Sequence, residues 1–151
     1  MFKPWDVVDE NGVPVKGKIN VSVTRIDPTT GLGRNQMPGN FTGLDNAGRA
    51  GDLISYVMMA VGLTDTDGHA LETMKSIQMA LRVPESLEET APQGIPLWLF
   101  KDAVKQWQEK GSATLSGNNY KGEIKVKRKL PYWNCDTFML RRIRKRPRTQ
   151  K

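Results

Sequence analysis

Apolar and polar positions alternate in two stretches near opposite ends of the chain. In KINVSVTRI (18–26), Ile19, Val21 and Val23 fall on one face and Asn20, Ser22 and Thr24 on the other. That is the period of a half-buried β-strand, and Asp27-Pro28 ends it. YKGEIKVKR (120–128) repeats the pattern: Tyr120, Ile124 and Val126 face one way, Lys121, Glu123, Lys125 and Lys127 the other. The outer face of this second strand is therefore basic. Upstream, residues 5–8 are short and apolar, and Asn11-Gly12 supplies turn chemistry.

Between the two strands the spacing predicts three helices. Leu53, Ile54, Val57, Met58 and Val61 form a stripe over 52–61, with Gly62 as C-cap. Leu71, Met74, Ile77 and Leu81 form one over 68–83, with Gln78 the misfit on that side. Asp65, Thr66 or Asp67 would cap its start and Pro84 its end. Leu97, Phe100, Val104 and Trp107 recur over 96–110, with Pro96 in the first turn and Gly111 past the end. Residues 28–51, with six glycines and two prolines, show no period and read as a long irregular loop. No internal repeat is evident. The expectation is a single α+β domain over 1–130, with a small antiparallel sheet from the N- and C-terminal strands packed with about three central helices. A basic C-terminal extension occupies 131–151.

Composition sets limits on this picture. The 38% hydrophobic content supports a modest core. LISYVMMAVG, the longest apolar-rich stretch, is half the length a membrane span needs. The first residues lack the apolar segment of a signal peptide. The chain is thus expected in the cytoplasm or in a nucleic-acid-containing particle, with no membrane contact.

Charge changes the picture most. The net charge is +7. From Lys121 to Lys151 twelve basic residues face two acidic ones, while residues 1–120 hold eleven basic and fourteen acidic. Seven of the last twelve residues, LRRIRKRPRTQK, are Arg or Lys. Such clusters neutralise phosphates and release counterions, and arginine binds phosphate bidentately. Nucleic acid, DNA or RNA, is the expected partner. Arg141, Arg142, Arg144, Lys145, Arg146 and Arg148 are the main expected contacts, and Lys121, Lys125, Lys127, Arg128 and Lys129 extend the track. Backbone contacts of this kind carry little base specificity. In KVKRKLPYW the lysines read as ligands for phosphate, while Tyr132 and Trp133 read as core residues. The alternative is a structural or assembly subunit, of a virion or another large particle, whose tail and long loop order against neighbouring protein subunits.

Catalytic and metal chemistry find little purchase. One cysteine, Cys135, and one histidine, His69, exclude an internal disulfide and a Cys/His zinc set. Asp65 and Asp67 in TDTDGH lack the later ligands of a calcium loop and read as a helix cap. The glycine-rich stretch contains no G-x-x-x-x-G-K-[ST], and Gly31-x-Gly33 opens no βαβ unit. Arg34 and Arg49 there could extend a basic surface. No nucleophile–base–orienter set emerges. The expectation is a non-catalytic protein without cofactor or metal.

Overall fold

The computed structural model describes residues 6–141. The molecule is mostly β, 54% strand against 9% helix, which overturns the expected α+β domain with three central helices. In chain order the strands are β1 (Val7–Val8), β2 (Asn20–Ile26), β3 (Thr42–Leu44), β4 (Ala50–Thr64) and β5 (Ala70–Thr73). They continue with β6 (Ile77–Arg82), β7 (Gly94–Lys101), β8 (Gln106–Ser116), β9 (Asn119–Ile124) and β10 (Tyr132–Leu140). Among the described residues the one α-helix is α1 (Gly31–Gln36), inside the stretch expected to be irregular. The Thr30 hydroxyl caps it by accepting a hydrogen bond from the Gly33 N–H.

Each expected helix fails for a physical reason. Over 52–61 the chain is β4, where Val57, Met58 and Met59 are all buried because both faces are covered. A continuous apolar run contains every period at once, so a helical stripe can always be drawn through it. The β-branched Ile54, Val57 and Val61 favour the extended form. Over 68–83 the chain makes two strands, β5 and β6. In β6, Met79 and Leu81 are buried while Gln78, Ala80 and Arg82 are exposed, so the misfit Gln78 belonged to a period of two. Over 96–110 the chain is the β7–β8 hairpin. Phe100 and Trp107 do meet, their ring centroids 5.1 Å apart, but as cross-strand partners rather than along a helix. A 3-10 turn over Asp102–Val104 and Lys105 at φ 52° reverse the chain between them.

Three of the turns share one sequence pattern, D-x-x-G-x, at Asp9–Val13, Asp45–Arg49 and Asp65–His69. In each, a carboxylate oxygen of the aspartate accepts from the N–H groups two and four residues on. In each, the glycine N–H donates to the aspartate carbonyl. Each glycine has φ between 77° and 85°, which L side chains rarely adopt. A turn closed by a glycine in this conformation is a standard hairpin connection.

The strands build one sheet that closes on itself. β4 pairs antiparallel with β10, β10 with β7, and β7 with β8. β3 then pairs antiparallel with β4 and parallel with β8, which completes a five-strand ring. A ring with an odd number of strands cannot be antiparallel throughout, so one parallel contact is obligatory. The closure is tight. A Cβ on Gly43 would lie 2.9 Å from the Trp107 carbonyl oxygen, 3.1 Å from the Trp98 ring and 3.2 Å from Leu53. β9 continues from β8 and β6 from β9. β2 pairs with β4, and the Arg25 Nε donates to the Arg82 carbonyl at the end of β6.

Two bulges set which side chains share a face. Between Val57↔Cys135 and Ser55↔Asp136 the extra residue is Tyr56. Between Gly111↔Leu97 and Glu109↔Trp98 it is Lys110. An extra residue inverts the alternation beyond it, so Leu53 joins Met58, Trp98, Phe100 and Trp107 in the smaller apolar cluster. The larger cluster, on the opposite face, holds Val57, Met59, Leu97, Leu99, Tyr120, Ile124, Trp133 and Cys135 among others.

The bulged region also buries polar groups. Ser55 Oγ donates to Asn134 Oδ1 at 2.6 Å, and Asn134 Nδ2 donates to Asp136 Oδ2 at 3.0 Å. Asp136 Oδ1 is buried without a partner. Burial pushes the Asp136 carboxyl well above the ordinary carboxylate range, with the Ser55 hydroxyl acting in the opposite direction. The folded state therefore holds this proton at pH values where the unfolded chain has lost it. Stability contributed here falls as pH rises from about 4 through the folded value. Asp136→Asn is expected to raise stability by about 1–3 kcal/mol at pH 8 and to leave it nearly unchanged at pH 4. Urea midpoints at both pH values check this, and equal gains at both would contradict it.

Candidate nucleic-acid interface

The alternation read in 120–126 holds in three dimensions. Tyr120, Ile124 and Val126 are buried, and Lys121 and Lys125 are exposed. The basic residues of this stretch nevertheless go to different places. Lys121 lies mid-strand beside Ala80 of β6 and Thr114 of β8. Lys125 and Lys127, just past the end of β9, border a cleft of about 330 Å³.

That cleft is where the fold concentrates positive charge. Lys101, from the end of β7, and Lys110, the bulge residue of β8, stand on it with Lys125 and Lys127. Leu99, Ile124 and Trp133 also line it, and all three belong to the larger apolar cluster. One carboxylate, Glu123, and the hydroxyl of Ser76 complete the lining. Burial first, then the charges of Lys110 and Lys127, lower the Lys101 ammonium below the ordinary lysine value. Sequence reasoning missed Lys101 and Lys110. Each stands as a lone cation between apolar neighbours or in a mixed-charge stretch, with no local density to mark it.

The remaining basic residues of the track are placed as follows. Arg128 is half-buried and lies 3.8 Å from Glu10, with its Nε buried and unpartnered. It faces the N-terminal hairpin, beside Asp9 and Asp65, rather than the lysine cleft. Lys129 is exposed and sits at φ 66° in the turn from Lys127 to Leu130. A non-glycine residue there is held at some cost in backbone energy. Tyr132 packs on the smaller cluster and Trp133 is 4% exposed. Arg141, the last described residue, donates from Nε and a terminal nitrogen to Asp52 Oδ1, both at 3.1 Å. Arg142, Arg144, Lys145, Arg146 and Arg148 lie outside the described residues. Residues 132–140, expected at the start of the extension, are β10, between β4 and β7.

Charge is segregated along the chain. Residues 6–141 hold sixteen basic and sixteen acidic residues. The whole net charge of +7 belongs to Lys3 and the six cations after Arg141.

The other candidate groups lie in a turn and in the core. Ligand atoms of Asp65, Asp67 and His69 lie within 4.8 Å of one another. Asp65, however, is the turn aspartate of the third D-x-x-G-x hairpin, and His69 Nδ1 lies 3.1 Å from its second oxygen. These residues turn β4 into β5 rather than capping a helix. The backbone N–H of His69 is the main cause that lowers the Asp65 carboxyl. Cys135 is fully buried, and burial pushes its thiol far up. Among the described residues no helix is long and apolar enough to cross a membrane.

No protein-family model matches the chain, and neither a curated protein nor a solved structure matches it significantly in sequence or fold.

Proposed function

We propose that this protein binds nucleic acid without catalysis, through largely sequence-independent phosphate contacts made by its basic C-terminal arm and the lysine track beside β9. The observation that carries this reading is the segregation of charge. A body of sixteen basic and sixteen acidic residues has no long-range attraction for a polyanion, while six cations in the ten residues after Arg141 do. The arm leaves from the end of β10 at Arg141, and Lys125 and Lys127 add two cations on the body. Phosphate contacts of this kind position a protein without reading bases.

The test is binding of the full chain to labelled single-stranded DNA and RNA across a salt series. A log–log slope of about −4 or steeper is expected, at about 0.7 per neutralised phosphate on a single strand. Absence of binding near 20 mM salt would overturn the reading.

A second reading, a subunit of a larger particle, is favoured by β2. This strand pairs only with β4 among the described strands, and its Val21 and Val23 are each 58% exposed. An edge strand with exposed valines can template pairing with another chain. Self-association in light scattering, together with failure to bind free nucleic acid, would select this reading.

A further inference from the structure

We infer that the cleft formed by Lys101, Lys110, Lys125 and Lys127 is a phosphate-binding site on the folded body, separate from the arm. The phosphate is either that of a nucleic-acid strand held by the arm or that of a free anion. Only the first source rests on the function proposed above.

Three observations converge on it. The four lysines come from three segments, the end of β7, the bulge of β8 and the residues after β9, and they face one carboxylate, Glu123. Of the twelve described cations elsewhere, six (Arg49, Lys75, Arg82, Lys105, Arg128 and Arg141) stand within 4.0 Å of a carboxylate. None of the four cleft lysines forms such a pair among the described residues. What distinguishes the cleft is that four like charges share it with one carboxylate, an arrangement that an anion stabilises.

Secondly, Lys110 is the extra residue of a bulge. Bulges bend a strand and re-aim one side chain, and they are enriched beside functional sites. Without it, the side chains of β8 beyond this point would exchange faces. Thirdly, part of the cleft wall is apolar, made by Leu99, Ile124 and Trp133. Trp133 lines it, is 4% exposed, and its indole N–H has no acceptor. Charges act more strongly beside such a wall than in open solvent, and partial burial together with the charges of Lys110 and Lys127 lowers the Lys101 ammonium. Lysine ammoniums bind phosphate as compact point charges. A volume of about 330 Å³ admits one phosphate with its attached sugar but not the body of a duplex.

The experiment uses the full chain labelled with 15N, with the indole N–H signal of Trp133 identified by its absence in Trp133→Phe. Inorganic pyrophosphate and an eight-residue oligothymidylate are titrated separately at constant ionic strength, against chloride. The expected result is a saturable shift of the Trp133 signal with pyrophosphate. In the Lys101→Gln/Lys110→Gln double variant, whose melting temperature serves as the folding control, the affinity should fall at least tenfold. A shift with oligothymidylate as well assigns the site to the strand. A shift with pyrophosphate alone assigns it to a free anion. Pyrophosphate saturation without any oligonucleotide binding leaves the cleft standing and removes the arm reading. Oligonucleotide binding of undiminished affinity in the double variant, with Trp133 silent to both probes, removes the cleft and leaves the arm.

Discussion

Ending the chain after Arg141 is expected to weaken binding to single-stranded nucleic acid by about a thousandfold at 0.1 M salt and to flatten the log–log salt slope by about four. The segment removed carries Arg142, Arg144, Lys145, Arg146, Arg148 and Lys151 and no acidic residue. At about 0.7 counterions per contact on a single strand, six contacts contribute about four to the slope. The body left behind is Lys3 plus equal numbers of basic and acidic residues, so its residual binding should be weak and shallow in salt. The position of the cut matters. β10 runs to Leu140 and pairs with β4 up to Leu140↔Gly51, and Arg141 is held by Asp52. A cut inside residues 132–140 would open the sheet and confound loss of charge with loss of fold. Fluorescence anisotropy over a salt series makes the measurement, with thermal melting as the control for folding. If the shortened chain keeps its affinity and slope, the arm is not the grip.

Trp98→Ala is expected to lower stability by about 3–5 kcal/mol, out of the roughly 5–15 kcal/mol typical of a folded domain. The side chain is fully buried in the smaller cluster. Its ring stacks on Phe138, with centroids 5.3 Å apart, and its Nε1 donates to the Asp136 carbonyl at 3.1 Å. It also stands against Gly43, where the ring of strands closes. That closure has little backbone to rely on, with β3 matching three residues of β4 and two of β8. Removing the indole leaves a cavity at the seam and orphans a buried carbonyl. Trp98→Phe should cost less, because it keeps most of the packing and loses the N–H. Urea unfolding at pH 7 measures both variants. A loss below about 1.5 kcal/mol for the alanine variant would show that Trp98 does not hold the seam.

Much of this β architecture was legible in principle. The two alternating stretches are β2 and β9. The D-x-x-G-x pattern marks three turns, yet a polar aspartate ahead of an apolar run also reads as a helix cap. In both settings a carboxylate accepts backbone N–H groups of the next few residues, so the local chemistry is shared. The glycine three residues on, held at positive φ, separates the cases. The apolar run of β4 was not legible, because burial on both faces erases the period. The spacing of Phe100 and Trp107 was ambiguous for another reason, since a hairpin and a helix both put these two residues on one face.

Half-buried β2 was expected from its alternation, but Val21 and Val23 are mostly exposed. Alternation states which residues share a face and is silent on whether anything covers it. The apolar roles of Tyr132 and Trp133 were read from residue type, and both pack on apolar clusters.

What the sequence alone determined is what depends on neighbours along the chain: the segregation of net charge into the C-terminal residues, the basic run that follows β9, and the turn chemistry. Tertiary structure decided what depends on register and closure. The extra residues Tyr56 and Lys110 choose which face each side chain takes. Pairing of β7 with β8 and of β8 with β9 carries Lys101 and Lys110 to the same cleft as Lys125 and Lys127. Arg128, inside the same basic run, is turned away toward Glu10. Coulomb interactions depend on distance through space, and only the folded sheet sets those distances.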